Sequence, residues 1–302
     1  MSSFLQSREW AEIQNCDGRE THHLSFGNES LIYFTHNLPL GLGYFYAPRP
    51  VIKDTEAFFA AIHKLKKSTS AIFFRVEPEA RFRIPSFVET SAGRHDSRFK
   101  INQAPNLQPQ ETTVIDLQRS DHELLGLMHP KTRYNIRLAE KHGAVVEKRV
   151  GRDAIDVFYA LLSKTAKRDG FHLHKQSHYE NLLRSNSHEF SNELFFAVYK
   201  GDIAAAAVVN FYDGVATYLH GASNYELRHI MAPHFLHWRI AQEARSRGMS
   251  AYDLWGIDAA RWSGVTRFKE GFGGSEKKYP PAFDIIFRPF WYGVYRIVRN
   301  IL

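Results

Sequence analysis

The chain has 302 residues, enough for two hydrophobic cores, and a formal net charge of +7 at pH 7 that favours anionic partners. Hydrophobic residues make up 44% and charged residues 24%, a globular composition that excludes extensive disorder. Cys16 is the single cysteine, which excludes an intramolecular disulfide and fits a reducing compartment. The N-terminus lacks the features of a signal peptide, and no apolar run is long enough to span a membrane. We therefore expect a cytoplasmic protein that needs no metal or other cofactor.

The first hundred residues have the patterns of mixed α and β structure. Ser7 is a candidate N-cap for a short helix. Phe58, Phe59 and Ile62 recur at helical spacing and predict a helix over 54–67. β-Forming residues bounded by turn residues predict strands at 30–35, 43–46 and 71–77.

A polar stretch with two prolines, residues 102–112, is predicted to link two domains. The elements predicted after it are, in chain order, a strand at 113–117, helices at 121–128 and 131–142, a strand at 144–147, helices at 155–168 and 177–184, strands at 194–199, 203–212 and 216–223, a helix at 233–247 and a strand at 252–256. This is the order of the acyltransferase fold used by the GNAT superfamily. The first hundred residues have a shorter version of the same mix, so we expect two similar α/β domains in tandem.

The segment that would bind a coenzyme A donor in a GNAT enzyme departs from the required pattern. Such enzymes place an Arg/Gln-x-x-Gly-x-Gly/Ala turn before a helix, so that backbone N–H groups can reach the pyrophosphate. The matching residues are 228–234, where Met231 stands in place of a glycine and Pro233 has no N–H. The sequence therefore predicts an acyl donor other than coenzyme A.

Residues 264–274 are rich in glycine and carry Arg267 and Lys269 beside Phe268 and Phe272. The glycines predict an irregular segment rather than a helix. An aromatic ring next to a lysine suits a nucleotide end, because the ring stacks on a base or ribose and the ammonium meets phosphate or a developing oxyanion. The alternative is a tight turn whose aromatic rings are core residues, and the sequence does not decide between the two.

Two further segments have charges that suit anionic partners. Residues 131–141 predict a helix with four cations, of which Arg133 and Arg137 are neighbours that repel each other unless an anion is present. Together with Arg267 they are the candidate RNA contacts, and a solvated basic face is the alternative. Residues 168–179 mix cations, histidines and hydroxyls, which predicts either the rim of a pocket for a phosphorylated acceptor or a plain connection between helices.

The C-terminal stretch 287–302 is aromatic and basic. A segment of this kind can lie on an anionic membrane surface, so such a surface is a candidate partner. The sequence pattern favours the alternative, a final helix packed on the body of the protein.

Nine motifs, in order along the chain, resemble the Fem family of peptidoglycan-precursor aminoacyltransferases. They are Phe4–Ser7 with Trp10, Tyr46–Pro50, Arg75–Pro78, Val114–Leu117, His129–Arg137, Thr165–Phe171, Tyr218–Ser223, Tyr252–Ile257 and Arg267–Gly274. The resemblance implies two tandem GNAT-like domains, residues 1–110 with about 283–302 returning to them, and residues 111–282. It implies transfer of an amino acid from aminoacyl-tRNA to the stem-peptide amine of a muramyl-pentapeptide precursor, UDP- or lipid-linked, which builds an interpeptide bridge.

The resemblance also implies roles for individual residues. Phe268 and Lys269 match a Phe-Lys pair at the tRNA 3′ end, where the lysine stabilises the oxyanion of the reaction. Lys175 and Tyr179 match an Arg-x-x-x-Tyr pair that holds the diphosphate and sugar of the precursor, with lysine in place of arginine. Their spacing predicts that both side chains lie on one helix face. Tyr218 matches a tyrosine of the precursor pocket.

The sequence has no clear general base. Glu77 and Asp116 are candidates, and we expect both to be structural. One alternative function is a GNAT-like N-acyltransferase that uses coenzyme A or an acyl-carrier donor on a small amine or an exopolysaccharide. Another is an RNA-binding module without catalysis. In each case we expect a monomer.

Overall fold

The computed structural model describes residues 2–81, 88–90 and 99–301. The chain divides into two units, Ser2–Gln110 with Tyr279–Leu302, and Glu111–Lys278. In its described residues, each unit contains one seven-stranded sheet with helices packed on it. The C-terminal residues thus return to the first unit, as the family resemblance implies.

The sheet of the first unit holds the C-terminal strand between strands from the first hundred or so residues. Its order is β1 (Thr21–Phe26), β2 (Glu29–Asn37), β3 (Gly43–Pro48), β4 (Phe73–Glu77), β14 (Phe283–Ile286), β6 (Phe99–Gln103) and β5 (Val88–Thr90). Neighbouring strands are antiparallel, except that β3 with β4 and β5 with β6 are parallel. The helices of this unit are α1 (Arg8–Cys16), α2 (Thr55–Ser68) and α9 (Pro289–Ile301), with 3₁₀ turns at Phe4–Gln6 and Pro39–Gly41.

The described residues of the first unit form two apolar clusters that hold its helices on the sheet. In one of them, Phe58, Phe59 and Ile62 of α2 are buried against the sheet, as their spacing predicts. In the other, Phe73 of β4 packs with Tyr292 of α9. Successive side chains of a strand point to opposite faces, so the sheet is covered by helices on both sides.

The sheet of the second unit has one parallel strand pair among antiparallel ones. Its order is β13 (Ser275–Lys278), β7 (Glu111–Asp116), β12 (Ala251–Asp253), β11 (Val215–Ser223), β10 (Asp202–Tyr212), β9 (Phe190–Tyr199) and β8 (Val145–Lys148), with β11 and β12 parallel. The helices are α3 (Asp121–Leu127), α4 (Pro130–Lys141), α5 (Arg152–Asp169), α6 (Gln176–Arg184), α7 (Ala232–Ser246) and α8 (Ser263–Glu270), with a 3₁₀ turn at Arg228–Ile230.

Local signals in the sequence explain where several helices begin and end. The Ser7 side chain accepts the backbone N–H of Trp10 at 3.0 Å and caps α1, as predicted. Ser120 and Glu123 form a reciprocal capping box at the start of α3. Gly170 has a left-handed backbone conformation and ends α5.

The prediction of an irregular segment at 264–274 is wrong. The helix α8, Ser263–Glu270, covers most of this segment, and Gly264 is the one glycine of the segment that lies inside the helix. The remaining glycines follow the helix, where Gly273 has a φ of 75° and an added β-carbon would lie 2.4 Å from the Leu127 carbonyl oxygen. These glycines therefore serve a left-handed turn and a close approach of two backbones, and they do not interrupt the helix.

The predicted linker at 102–112 is shorter than expected. Residues 102–103 belong to β6, and residues 111–112 belong to β7. Both ends of the polar stretch pair with neighbouring strands through their backbones. Such pairing does not require apolar side chains, so the polar composition does not stop either strand. The other elements predicted for the described residues are confirmed, with their ends shifted by a few residues.

Candidate active site

A cavity of about 380 Å³ opens in the second unit beside β11, α7 and α8. Its lining includes Tyr218 and Gly221 from β11, His237 from α7, and Phe268 and Lys269 from α8. The predicted Phe-Lys pair and the predicted tyrosine, which lies about fifty residues earlier in the chain, therefore line one cavity. A concave site with convergent polar groups is the usual form of a substrate pocket.

A bulge in the sheet shapes one wall of the cavity. Along the β10–β11 pair, Val208 opposes His220 and Val209 opposes Tyr218, so the intervening residue of β11 has no partner. The Tyr218 side chain lies over Gly221, where an added β-carbon would be 1.8 Å from the tyrosine hydroxyl oxygen. The position of the tyrosine therefore requires glycine at residue 221.

Lys269 is the buried cation of this cavity, with 7% of its surface exposed. Its Nζ donates hydrogen bonds to the carbonyls of Trp255 at 2.9 Å and Gly256 at 2.7 Å. The same atom lies 5.4 Å from the ring centroid of Tyr218. Burial lowers the pKa of Lys269 to about 8, although the negative charge of Asp253 opposes the shift. An ammonium has three donors, so one remains for a ligand in the cavity.

Two histidines that the sequence analysis did not single out flank Phe268. The ring centroids of His234 and His237 lie 5.0 and 5.5 Å from that of Phe268, each nearly edge-on. His237 Nδ1 lies 2.7 Å from the Tyr252 hydroxyl. Burial lowers the pKa of His237 to about 3, aided by the charges of Lys269 and His234, and it lowers that of His234 to about 4. Both imidazoles are therefore neutral at pH 7 and too weakly basic to be efficient general bases.

The segment in place of the coenzyme A cradle lies at the edge of the same cavity. Met231 follows the 3₁₀ turn, has a φ of 60° and precedes α7. Pro233 lies in the first turn of α7 and lines the cavity without an N–H to offer. This helix N-terminus therefore lacks a backbone donor that a pyrophosphate would use.

A basic surface adjoins the end of α8. The backbone N–H of His129, the N-cap of α4, donates to the carbonyl of Gly271 at 2.9 Å, so α4 begins where α8 ends. Arg137 of α4 and Arg267 of α8 are exposed. Arg133 is half-buried, and its Nη1 donates to backbone carbonyls at the end of α3. Arg133 is therefore engaged in capping a helix, which accounts for its place beside Arg137 without a bound anion.

Comparison with known proteins assigns the chain to a family. The FemAB family is matched by residues 1–200 and again by residues 184–300. The chain belongs to the FemAB family. A lipid II:glycine glycyltransferase of Staphylococcus saprophyticus is 21% identical, in an alignment that covers 98% of this chain and 90% of that protein.

Solved structures support the same fold for this FemAB protein. The crystal structure of FemX has a TM-score of 0.79 at 19% identity and covers 97% of this chain and 94% of that one. A tandem GNAT protein from the clavulanic acid biosynthesis pathway has a TM-score of 0.50 at 11% identity, covering 85% and 78%. The expected fold class, an α/β chain of tandem GNAT-like domains, is confirmed.

Lys175 and Tyr179, which are predicted to bind the acceptor of this FemAB protein, differ in exposure. Lys175 is exposed and is the N-cap of α6, with an extended backbone at ψ 151°. Tyr179 is 1% exposed, and its ring lies 5.7 Å from Phe158 and 5.1 Å from His220. Burial raises the pKa of Tyr179 to about 12. The prediction that both share one helix face is wrong, because α6 begins only at Gln176.

The two candidate general bases make structural contacts. Glu77 is buried in the first unit and accepts the Tyr46 hydroxyl at 3.1 Å and the backbone N–H of Leu107. Asp116 is exposed and accepts the backbone N–H of Gln118 at 3.1 Å. Neither is among the described residues that line the cavity.

The described residues offer no metal site of the usual kind. No group of three or more His, Cys, Asp or Glu side chains within residues 2–81, 88–90 and 99–301 could hold a metal ion. Among the helices of these ranges, none has the length and apolar character needed to cross a membrane.

Proposed function

We propose that this protein transfers an amino acid from aminoacyl-tRNA to the stem-peptide amine of a peptidoglycan precursor and thereby builds an interpeptide bridge. The observation that carries the proposal is the buried ammonium of Lys269, which lines the cavity beside Phe268. Membership of the FemAB family and the likeness to a lipid II:glycine glycyltransferase support the reaction class. We further propose that it acts in the cytoplasm, as a monomer.

The chemistry places few demands on the protein. The amine nitrogen attacks the carbonyl carbon of the aminoacyl ester, a C–N bond forms, and the C–O bond to the terminal ribose breaks. The ribose hydroxyl leaves with the proton that the amine loses. The ester is already activated, so positioning and stabilisation of the transient oxyanion can supply most of the rate.

Lys269 is suited to that stabilisation by its surroundings. At pH 7 a lysine with a pKa of about 8 is mostly charged, and two carbonyls hold its Nζ in place. Its remaining donor is preorganised in a water-poor site, where a hydrogen bond to developing negative charge is strongest. Phe268 would stack on the terminal base or ribose of the donor, with its ring held between two neutral histidines.

We assign the surfaces around the cavity to the two substrates. Arg137 and Arg267, both exposed, would contact tRNA phosphates, and Arg133 would support this surface by holding α3 against α4. Tyr218 in the cavity would contact the precursor through its ring, and the exposed Lys175 would bind a phosphate of the precursor through its ammonium. Tyr179, which is buried, would position the α6 region rather than touch the ligand.

Mass spectrometry of the acceptor tests the proposal. UDP-linked and lipid-linked muramyl pentapeptide are incubated separately with the protein and charged total tRNA. The expected product carries the added mass of one or more amino acid residues, which identifies the amino acid and the preferred acceptor. Unchanged mass with both acceptors, together with acyl transfer or thermal stabilisation by acetyl coenzyme A, would support a GNAT-like N-acyltransferase instead. Binding of tRNA without any transfer would indicate an RNA-binding module.

A further inference from the structure

The C-terminal helix α9 presents an apolar stripe away from the sheet. Phe290 and Ile297 are 74% and 63% exposed. Positions 290, 294 and 297, with 291 and 298 beside them, recur at helical spacing and form one face. The exposed members of this face are Phe290, Trp291, Val294, Ile297 and Val298. A contiguous apolar patch of this kind marks an interaction surface.

The opposite face of α9 packs on the body of the first unit and contributes Tyr292 and Tyr295 to one of its apolar clusters. Tyr292 is buried there, and its hydroxyl donates to Asp284 at 2.9 Å. Arg296 and Arg299 from the same face line a cavity of about 290 Å³. The tyrosine face of α9 therefore makes the core contacts, and the stripe is a second apolar face that the described part of the chain leaves exposed.

This cavity contains a buried guanidinium with an unused donor. Arg75 is 1% exposed, and its Nε and Nη2 donate to the two carboxylate oxygens of Asp284 at 2.7 and 2.8 Å. Among the described residues, Arg75 Nη1 has no hydrogen-bond partner although it is buried. A buried donor without a partner is unfavourable, and an anion with several oxygens would satisfy it. Three arginines and one aspartate line the cavity, so its charge favours such an anion.

We propose that α9 docks on an anionic phospholipid bilayer. The stripe of Phe290, Trp291, Val294, Ile297 and Val298 enters the boundary between headgroups and acyl chains. A lipid phosphate lies in the cavity of Arg75, Arg296 and Arg299. This inference goes beyond the proposed transfer reaction and does not depend on it, because it stands on the first unit alone.

Charge favours a membrane over a second copy of the chain as the partner. Residues 288–302 contain three arginines and no acidic residue. A twofold dimer through this stripe would place the same cationic segment against itself, and like charges would repel. An anionic bilayer supplies both the apolar phase and the opposite charge, and an amphipathic helix with Trp and Phe at its apolar face is suited to that boundary.

Vesicle co-sedimentation tests the docking, with phosphatidylcholine vesicles and with vesicles that contain phosphatidylglycerol as well. The wild-type protein should bind the anionic vesicles, and binding should weaken as salt is raised. The double variant Phe290→Glu/Ile297→Glu should bind at least about tenfold more weakly, because two charges would enter the apolar boundary. Its matched control is Leu40→Glu/Val51→Glu, which adds the same charge at exposed apolar positions of the same unit and should bind as the wild type does.

The arginine cavity is tested by a second matched pair. Arg296→Gln/Arg299→Gln should weaken binding to anionic vesicles roughly 10- to 30-fold. Lys64→Gln/Lys67→Gln, which removes two exposed charges from the same unit, should have a smaller effect. Equal losses in the two pairs would overturn the cavity assignment. Three results would overturn the docking. The wild type does not bind the vesicles, or the two glutamate variants lose binding equally, or the protein forms a lipid-free dimer that Phe290→Glu/Ile297→Glu dissociates.

Discussion

The pH dependence of the transfer rate should show a break at the pKa of Lys269, which the burial of this lysine lowers. Burial places that pKa at about 8. Below this pH the lysine is charged, and the attacking amine, with an ordinary lysine pKa of about 10.4, becomes about tenfold more reactive per pH unit. Above it, the charged fraction of Lys269 falls as fast as the free amine fraction rises. The logarithm of the rate should therefore rise with unit slope and then level off near pH 8.

The same pKa also determines how far the transfer rate falls below the line extrapolated from neutral pH. At about pH 9, one unit above the pKa, roughly a tenth of Lys269 remains charged. Transfer should then be about tenfold slower than the line extrapolated from neutral pH. A lysine with an ordinary pKa would remain almost fully charged at this pH and would give no deviation.

Single-turnover transfer measures this step, with the protein in excess over charged tRNA, saturating acceptor, and spontaneous ester hydrolysis subtracted. The control is Lys269→Arg, whose guanidinium stays charged throughout the range and should give an unbroken line. A wild-type rate that rises without a break to about pH 9.5 would show that Lys269 is not the titrating group, and so would the same break in the arginine variant.

Three further outcomes follow from the site geometry. Gly221→Ala should lower the free energy of unfolding by about 1–3 kcal/mol and reduce turnover, because its β-carbon would displace the tyrosine hydroxyl above it; thermal denaturation and the transfer assay check both. Lys175→Ala should raise the acceptor KM with little change in stability, whereas Tyr179→Phe should mainly lower stability; unchanged KM for the lysine variant would contradict its assignment. Arg137→Gln should flatten the salt dependence of tRNA binding by about one phosphate contact, whereas Arg133→Gln should lower stability; equal salt slopes for Arg137→Gln and wild type would point to a solvated face.

Much of the fold could be predicted from periodicity and turn residues, and the exceptions have physical causes. The edge strand β13 carries only exposed polar side chains, so no apolar pattern marks it. The strand β14 is four buried residues long, and its place between β4 and β6 depends on pairing with residues far away in sequence. In α8 the glycine content suggested a loop, but the glycines after the helix serve backbone contacts that only the tertiary structure reveals.

Some residues of the candidate site could likewise be predicted from the sequence, and others could not. Lys269, Phe268 and Tyr218 could be selected from the family resemblance, and the structure brings them to one cavity. His237 could not, because a histidine on the buried face of a helix has no sequence signal that separates it from a core residue. The spacing of Lys175 and Tyr179 predicts one shared helix face, but α6 begins one residue after Lys175, and helix boundaries are the feature that sequence patterns define least well.

Single-turnover transfer by Lys269→Met tests whether Lys269 stabilises the oxyanion of aminoacyl transfer. The control is Lys164→Met, at an exposed lysine of the same unit, and circular dichroism monitors the fold of both variants. We expect Lys269→Met to keep its fold but to transfer about 10²–10³-fold more slowly than the wild type, while Lys164→Met is unaffected. Transfer by Lys269→Met at close to the wild-type rate would rule out this role for Lys269.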